Sequence, residues 1–123
     1  MNEQLKESLA EALTGLIYIS ETDSEITPFE GGSAGAVTAG DLLGQIGAAA
    51  DSQVEERGFE EIFARLTRPS EQGPRFEALK QILAGNLSDP KVFKVGRINV
   101  DIYIVGLDGE GNLSGVKTRS VET

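Results

Sequence analysis

Hydrophobic residues near the start of the chain repeat at the spacing of an α-helix. Charged residues lie at several of the positions between them, on the other faces of the predicted helix. The apolar positions are Leu5, Leu9, Leu13, Leu16 and Ile17. The pattern predicts an amphipathic helix over residues 2–16, with its apolar face packed against the core.

The pattern then shortens to strand-like runs. Residues 17–19 form a β-favouring run, and the acidic stretch 21–25 follows it. We expect that stretch to be an exposed connection, which places Glu21 at the surface. The next run, 26–29, predicts a short strand that is limited by Pro28, because proline cannot donate a hydrogen bond to a neighbouring strand.

The following part of the chain is less regular. The glycine-rich stretch 31–35 predicts a loop, and Thr38 with an acid three positions later resembles a capping box that begins a helix through Ile46. Two patterns then overlap. Residues 54–59 suit a strand, residues 59–66 have helical spacing, and the sequence alone leaves both open.

The second half of the chain contains the clearest elements. After a loop at 67–73, Pro74 suits a first helical turn, and apolar residues at helical spacing continue until just before Asp89. From Val92 the period changes to two, and residues 98–105 alternate as a strand does. These patterns predict a long helix followed by a strand.

A turn at 107–112 and a strand at 113–121 complete the pattern. The short connection predicts that the last two strands pair as an antiparallel hairpin. Helices in the first and middle parts, with a hairpin at the end, predict an α+β fold with a mainly antiparallel sheet. The chain has no internal repeat and no linker. We therefore expect one domain over residues 1–123, and a monomer.

Charge is distributed unevenly along the 123 residues, whose formal net charge is −9. Residues 1–56 contain eleven acidic residues and one base, Lys6, whereas residues 57–123 contain nine acids and ten bases. The acidic half repels nucleic-acid phosphates and favours a basic protein partner. The same charge is also consistent with a role in solubility alone.

Composition excludes most catalytic chemistry. Without histidine or cysteine, the chain lacks the usual general base near neutral pH, the common zinc ligands and the Ser-His-Asp arrangement. The glycine-rich stretch 31–40 lacks the lysine of a phosphate-binding loop, and residues 108–119 depart from a calcium loop at two positions. A hydrolase that uses two carboxylates stays open as an alternative. We expect no enzyme activity and no cofactor.

Location and direct ligands follow from the same composition. No apolar run is long enough to span a bilayer, and no basic patch with aromatic residues suggests nucleic-acid binding. The first residues are polar and mixed in charge, unlike a secretory signal, so we expect a cytoplasmic protein.

The last third of the chain resembles the nuclease A inhibitor-like family of bacterial proteins. The resemblance is closest in four segments near the end and looser in two earlier ones. The close segments are 95–96, 100–106, 111–115 and 120–123, and the looser ones are 16–21 and 28–31.

The resemblance implies an α/β/α sandwich that inhibits a magnesium-dependent, sugar-non-specific DNA/RNA nuclease. In that family the terminal threonine hydroxyl takes a place at the catalytic metal of the nuclease, and a glutamate of an early acidic loop reaches the same site. The matching residues here are Thr123 and Glu21. Glu122, beside the terminus, is a candidate contact to a basic rim, although a solvent-facing strand residue is the simpler expectation.

The chain departs from the family pattern in one loop. The family carries an aromatic anchor between the middle segment and the long helix, whereas residues 68–74 contain no tryptophan. Aromatic anchors often dominate interface energies. The alternative hypothesis is therefore an interaction domain of the same fold with a different protein partner and no nuclease inhibition.

Overall fold

The computed structural model describes residues 1–122. They form four helices and seven strands. The helices are α1 (Glu3–Leu13), α2 (Ala39–Ile46), α3 (Phe59–Leu66) and α4 (Gly73–Asn86), and the strands are β1 (Ile17–Ile19), β2 (Asp23–Glu25), β3 (Thr27–Ser33), β4 (Val54–Gly58), β5 (Ser88–Val95), β6 (Asn99–Leu107) and β7 (Asn112–Val121).

Five strands form one antiparallel sheet in the order β3-β7-β6-β5-β4. Apolar side chains of α1, α3 and α4 pack against one face of this sheet, and those of α2 pack against the other. Each face therefore buries its own hydrophobic cluster, because alternate residues of a strand point to opposite faces. The predicted α+β class and the three-layer α/β/α sandwich are confirmed.

Strands β1 and β2 form a separate two-stranded hairpin beside the main sheet. Edge strand β3 pairs with the first half of β7. The β1–β2 hairpin lies along the second half, where the Thr118 hydroxyl donates to the Glu25 carbonyl over 2.9 Å. The backbone N–H of Val121 donates to the Ser20 hydroxyl oxygen over 3.2 Å. The end of β7 is therefore bordered by β6 on one side and by this hairpin on the other.

Two predicted helix starts are confirmed. The Thr38 side chain accepts a hydrogen bond from the Asp41 N–H at 3.1 Å, as a capping residue does at the start of α2. Pro74 lies in the first turn of α4, where a missing N–H leaves no helical hydrogen bond unmade. Gly47 ends α2 in the left-handed conformation, with φ of 73°.

The first helix is shorter than predicted, since α1 ends at Leu13 and the prediction extended to residue 16. Gly15 has φ of 72°, which an α-helix does not accommodate. The N–H of Leu16 then donates to the Leu13 carbonyl in a tight turn. Leu16 remains buried. Its apolar side chain therefore reflects burial in the core and not continuation of the helix.

The strand predicted at 26–29 is present, but Pro28 does not limit it, and the loop predicted at 31–35 is confined to residues 34–35. Strand β3 continues to Ser33. Proline is tolerated there because β3 is an edge strand. A bulge between Glu30 and Ser33 shifts the register. The Gln45 side chain of α2 accepts from the Gly32 N–H and donates to the Gly32 carbonyl, which stabilises this irregular stretch.

Three further boundaries differ from the prediction. The acidic stretch is not entirely a connection, because residues 23–25 form β2. The single strand predicted after the long helix is two strands, since β5 ends at Val95 and β6 begins at Asn99, which leaves Ile98 outside both. Both patterns that overlapped at residues 54–66 are present, as β4 and then α3. No helix within residues 1–122 is long and apolar enough to cross a membrane.

Candidate functional site

The last described residues are held firmly against their neighbours. Val121 pairs with Asn99 of β6, and the N–H of Glu122 donates to the Ile98 carbonyl over 2.8 Å. The backbone is therefore hydrogen-bonded up to the residue before Thr123, which itself lies outside the described residues. This is consistent with the expectation that a strand leads directly to the terminus.

Glu122 is paired within the protein. Its carboxylate lies 2.8 Å from the Lys94 ammonium, and it accepts a hydrogen bond of 3.0 Å from the Ser120 hydroxyl. The Lys94 hydrogen bond, helped by Ser120 and opposed by partial burial, lowers the pKa of Glu122 below its usual value. Glu122 is half-buried rather than simply solvent-facing, and its expected contact with a basic rim stays a prediction.

Glu21 lies exposed at the turn of the β1–β2 hairpin, as predicted. The neighbouring Ser20 hydroxyl donates to the Thr22 carbonyl over 2.9 Å. The same oxygen accepts the N–H of Val121. Ser20 therefore joins the turn that carries Glu21 to the end of β7.

The base of the hairpin is held by two side chains from the helical layer. The Gln72 amide accepts from the Ile17 N–H at 2.9 Å and donates to the Ile17 carbonyl at 3.0 Å. The Arg65 guanidinium donates to the Tyr18 hydroxyl over 2.7 Å. These bonds fix the hairpin at its base, while its turn is fixed against β7.

A groove of about 560 Å³ lies between the hairpin, the last residues of β7 and the ends of α3 and α4. Glu21 and Glu122 both line it, together with the cationic side chains of Arg65 and Lys94. The structure thus brings together two of the three residues proposed from the sequence.

Sequence reasoning missed the residues that hold this site together. Ser20 and Gln72 act across 101 and 55 residues of sequence, respectively. Lys94 reaches Glu122 across 28 residues. No local sequence pattern predicts such pairs, because polar side chains are common at these positions whether or not they have a distant partner. Only the tertiary fold brings them together.

A comparison with protein families identifies the family to which this chain belongs. A family model described as nuclease A inhibitor-like protein matches residues 3–123. The chain belongs to this family. The match includes Glu21, Glu122 and Thr123, and the resemblance noted from the sequence is confirmed. Membership of the nuclease A inhibitor-like family supports a role as a nuclease inhibitor in general, with a nuclease as protein partner. Among curated proteins, no match to the chain is found.

The described part of this nuclease A inhibitor-like protein, residues 1–122, contains no group of three or more acidic residues arranged to hold a metal ion. The loop that resembles a calcium site is a hairpin turn, as expected. Asp108 accepts hydrogen bonds there from the N–H groups of Glu110 and Asn112, at 2.8 and 3.1 Å, and from the Ser114 hydroxyl at 2.7 Å.

Proposed function

We propose that this protein inhibits a magnesium-dependent, sugar-non-specific DNA/RNA nuclease by occupying its active site. Thr123 and the turn that carries Glu21 enter the cleft together. One observation carries the proposal: Glu21 and the last residues of β7 line one groove, and a Ser20–Val121 hydrogen bond ties them.

The chemistry of these residues suits the proposed target. Magnesium prefers hard oxygen ligands and keeps positions for substrate oxygens and water. A threonine hydroxyl and a glutamate carboxylate are both hard oxygen groups. When Thr123 and Glu21 occupy those positions, a nucleic-acid phosphate cannot bind there.

The charge of the chain suits a nuclease cleft. An enzyme that binds nucleic acid presents a basic surface to the phosphates. The β1–β2 hairpin, residues 17–25, carries three acidic side chains and no base. This local excess follows the net charge of −9 and steers the protein toward a basic partner.

The fixed position of the chain end lowers the entropy lost on binding. The Glu122 N–H is bonded to Ile98, and its carboxylate is bonded to Lys94. A segment that is ordered before binding loses less conformational freedom than a free tail. Thr123 is therefore attached to a backbone that already has a defined direction.

The proposal is tested by titrating the protein into reactions of nuclease A, the enzyme in the family's name. The variants are Thr123→Val, which removes one hydroxyl at nearly constant shape, and Glu21→Gln, which removes one charge. Thr123→Val loses an oxygen contact to the cation, and Glu21→Gln replaces a charged oxygen contact with a weaker neutral one. We expect the inhibition constant to rise by about 10- to 100-fold in each variant.

The matched control is Glu7→Gln, which removes the same charge from the exposed surface of α1. We expect it to inhibit nearly as well as the parent protein. If the parent binds nuclease A without inhibiting it, or does not bind, the proposal is wrong and the alternative of a different protein partner is favoured. Turnover of a phosphodiester by the purified protein alone would instead favour a hydrolase.

A further inference from the structure

Two large hydrophobic side chains are exposed among residues 1–122. Ile19 keeps 69% of its surface exposed and Ile98 keeps 58%. A single exposed isoleucine on a protein surface needs no explanation. Two exposed isoleucines on either side of one short segment, in contrast, do need an explanation.

Both isoleucines border the end of β7. On one side, the Ile98 carbonyl accepts the N–H of Glu122. On the other side, Ile19 precedes Ser20, whose hydroxyl accepts the N–H of Val121. The last described residues therefore lie between two exposed apolar side chains.

We propose that Ile19 and Ile98 are apolar contacts to the rim of the active-site cleft of nuclease A, one on each side of the inserted chain end. This inference rests on the proposed function and adds to it the contacts outside the metal site. We call these two residues, Ile19 and Ile98, the apolar flanks of the chain end.

The acidic charges beside Ile19 favour a basic protein cleft over nucleic acid. Glu21 and Asp23 lie next to Ile19 along the hairpin, and both are exposed. Their charge repels nucleic acid and favours a basic protein surface. Apolar contacts that surround a polar insertion also exclude water from it, which strengthens the electrostatic contacts inside.

Apolar and charged contacts affect different rate constants of binding. Charged residues at an interface mainly change the association rate and its dependence on salt. Apolar contacts form after the encounter, so their loss mainly raises the dissociation rate. The flanks and Glu21 are therefore separable in one binding experiment.

The experiment measures association and dissociation rates with nuclease A at several salt concentrations. We expect Ile19→Ser and Ile98→Ser each to raise the dissociation constant about tenfold, through faster dissociation. The association rate and its salt dependence stay at the parent values. Because both side chains are already exposed, we also expect the melting temperature to remain nearly unchanged.

The controls are Ile19→Val and Ile98→Val, which keep most of the apolar surface and should bind nearly as the parent does. If the serine variants match a parent that inhibits nuclease A, the inference is wrong while the proposed function stands. A parent that is a dimer, and that the serine variants convert to a monomer, would assign the flanks to self-association instead. A parent that fails to inhibit overturns the proposed function, and the inference falls with it.

Discussion

Lys94 is the residue on which the position of Glu122 depends. Only 15% of its side chain is exposed, and its ammonium contacts both carboxylate oxygens of Glu122, at 2.8 and 3.0 Å. A cation that is largely removed from water keeps its carboxylate partner ionised and in place. Lys94 therefore holds the side chain of Glu122, the residue before Thr123.

Replacing this lysine tests whether the pair orders the terminus. In Lys94→Met, we expect the pKa of Glu122 to rise toward its usual value, because the largest cause of its lowering is removed. The amide of Glu122 should also exchange faster with solvent. NMR titration and hydrogen exchange measure the two effects.

The control for this variant is Lys91→Met on the same strand, since Lys91 donates to the Val37 carbonyl instead. It should leave the pKa of Glu122 unchanged. Equal pKa values for Glu122 in the parent and in Lys94→Met would show that the ion pair does not hold the carboxylate in solution.

At this scale the sequence predicted individual residues better than their partners. Glu21 is exposed because an acidic stretch with no apolar positions cannot be buried. The proximity of Glu21 to the end of the chain came only from the family resemblance. Nothing in the local sequence of Ser20 predicts a hydrogen bond to Val121, because tertiary pairing decides such contacts.

The β1–β2 hairpin is the element whose position matters most for the candidate site. An isolated two-stranded hairpin is only marginally stable in water. This one depends on Gln72, which makes two hydrogen bonds to Ile17, and on contacts with β7. The turn that carries Glu21 is therefore only as well positioned as these external bonds allow.

Removing Gln72 should loosen the hairpin more than the rest of the fold. Gln72→Ala loses two hydrogen bonds to the backbone, so we expect the free energy of unfolding to fall by about 1–2 kcal/mol. Hydrogen exchange should accelerate at residues 17–25, and inhibition of nuclease A should weaken in parallel. Denaturant unfolding, hydrogen exchange and inhibition assays check these effects.

Gln81→Ala provides the comparison, because Gln81 is exposed on α4, the helix that begins just after Gln72, and its side chain donates to Glu77 rather than to the hairpin. It should change neither hairpin exchange nor inhibition. Uniformly faster exchange across the whole sheet of Gln72→Ala would contradict a local role for Gln72.

Element types were predicted well where an apolar period was long, as in α4 and β6. Boundaries failed where tertiary contacts decide them. Strand β3 continues through Pro28 and two glycines because Gln45 from another layer satisfies its backbone. Neither proline nor glycine favours a strand, so no local pattern predicted that extension.

Asp108 links distant parts of the whole molecule. Its side chain is 3% exposed and lies 2.8 Å from the N-terminal ammonium of Met1. Burial opposes ionisation of Asp108. The ammonium, the Ser114 hydroxyl and two backbone N–H groups outweigh burial and lower the pKa of Asp108 to about 2. The network joins the start of α1 to the β6–β7 turn.

This lowered pKa makes global stability depend on pH in a defined window. The folded-state pKa lies below the ordinary value of 3.8, so the contribution is complete above pH 4 and is lost as pH falls toward 2. We expect Asp108→Asn to lower the free energy of unfolding by about 2 kcal/mol at pH 6. The difference from the parent should shrink below pH 4, as measured by urea unfolding.

Glu110→Gln is the appropriate comparison, because Glu110 also lies near the ammonium but its side chain is 59% exposed. It should cost far less stability. A difference between parent and Asp108→Asn that stays constant from pH 6 to pH 2 would rule out ionisation of Asp108 as the cause.

The place of β7 in the sheet affects how the protein is made. It follows the other strands in chain order, yet it lies between β3 and β6 and borders the hairpin. During translation the earlier segments leave the ribosome first, and until β7 emerges β3 lacks its partner strand. Final assembly therefore waits for the same segment that carries the proposed inhibitory tip. A nascent chain stalled before that point would have neither a finished sheet nor the means to block an enzyme.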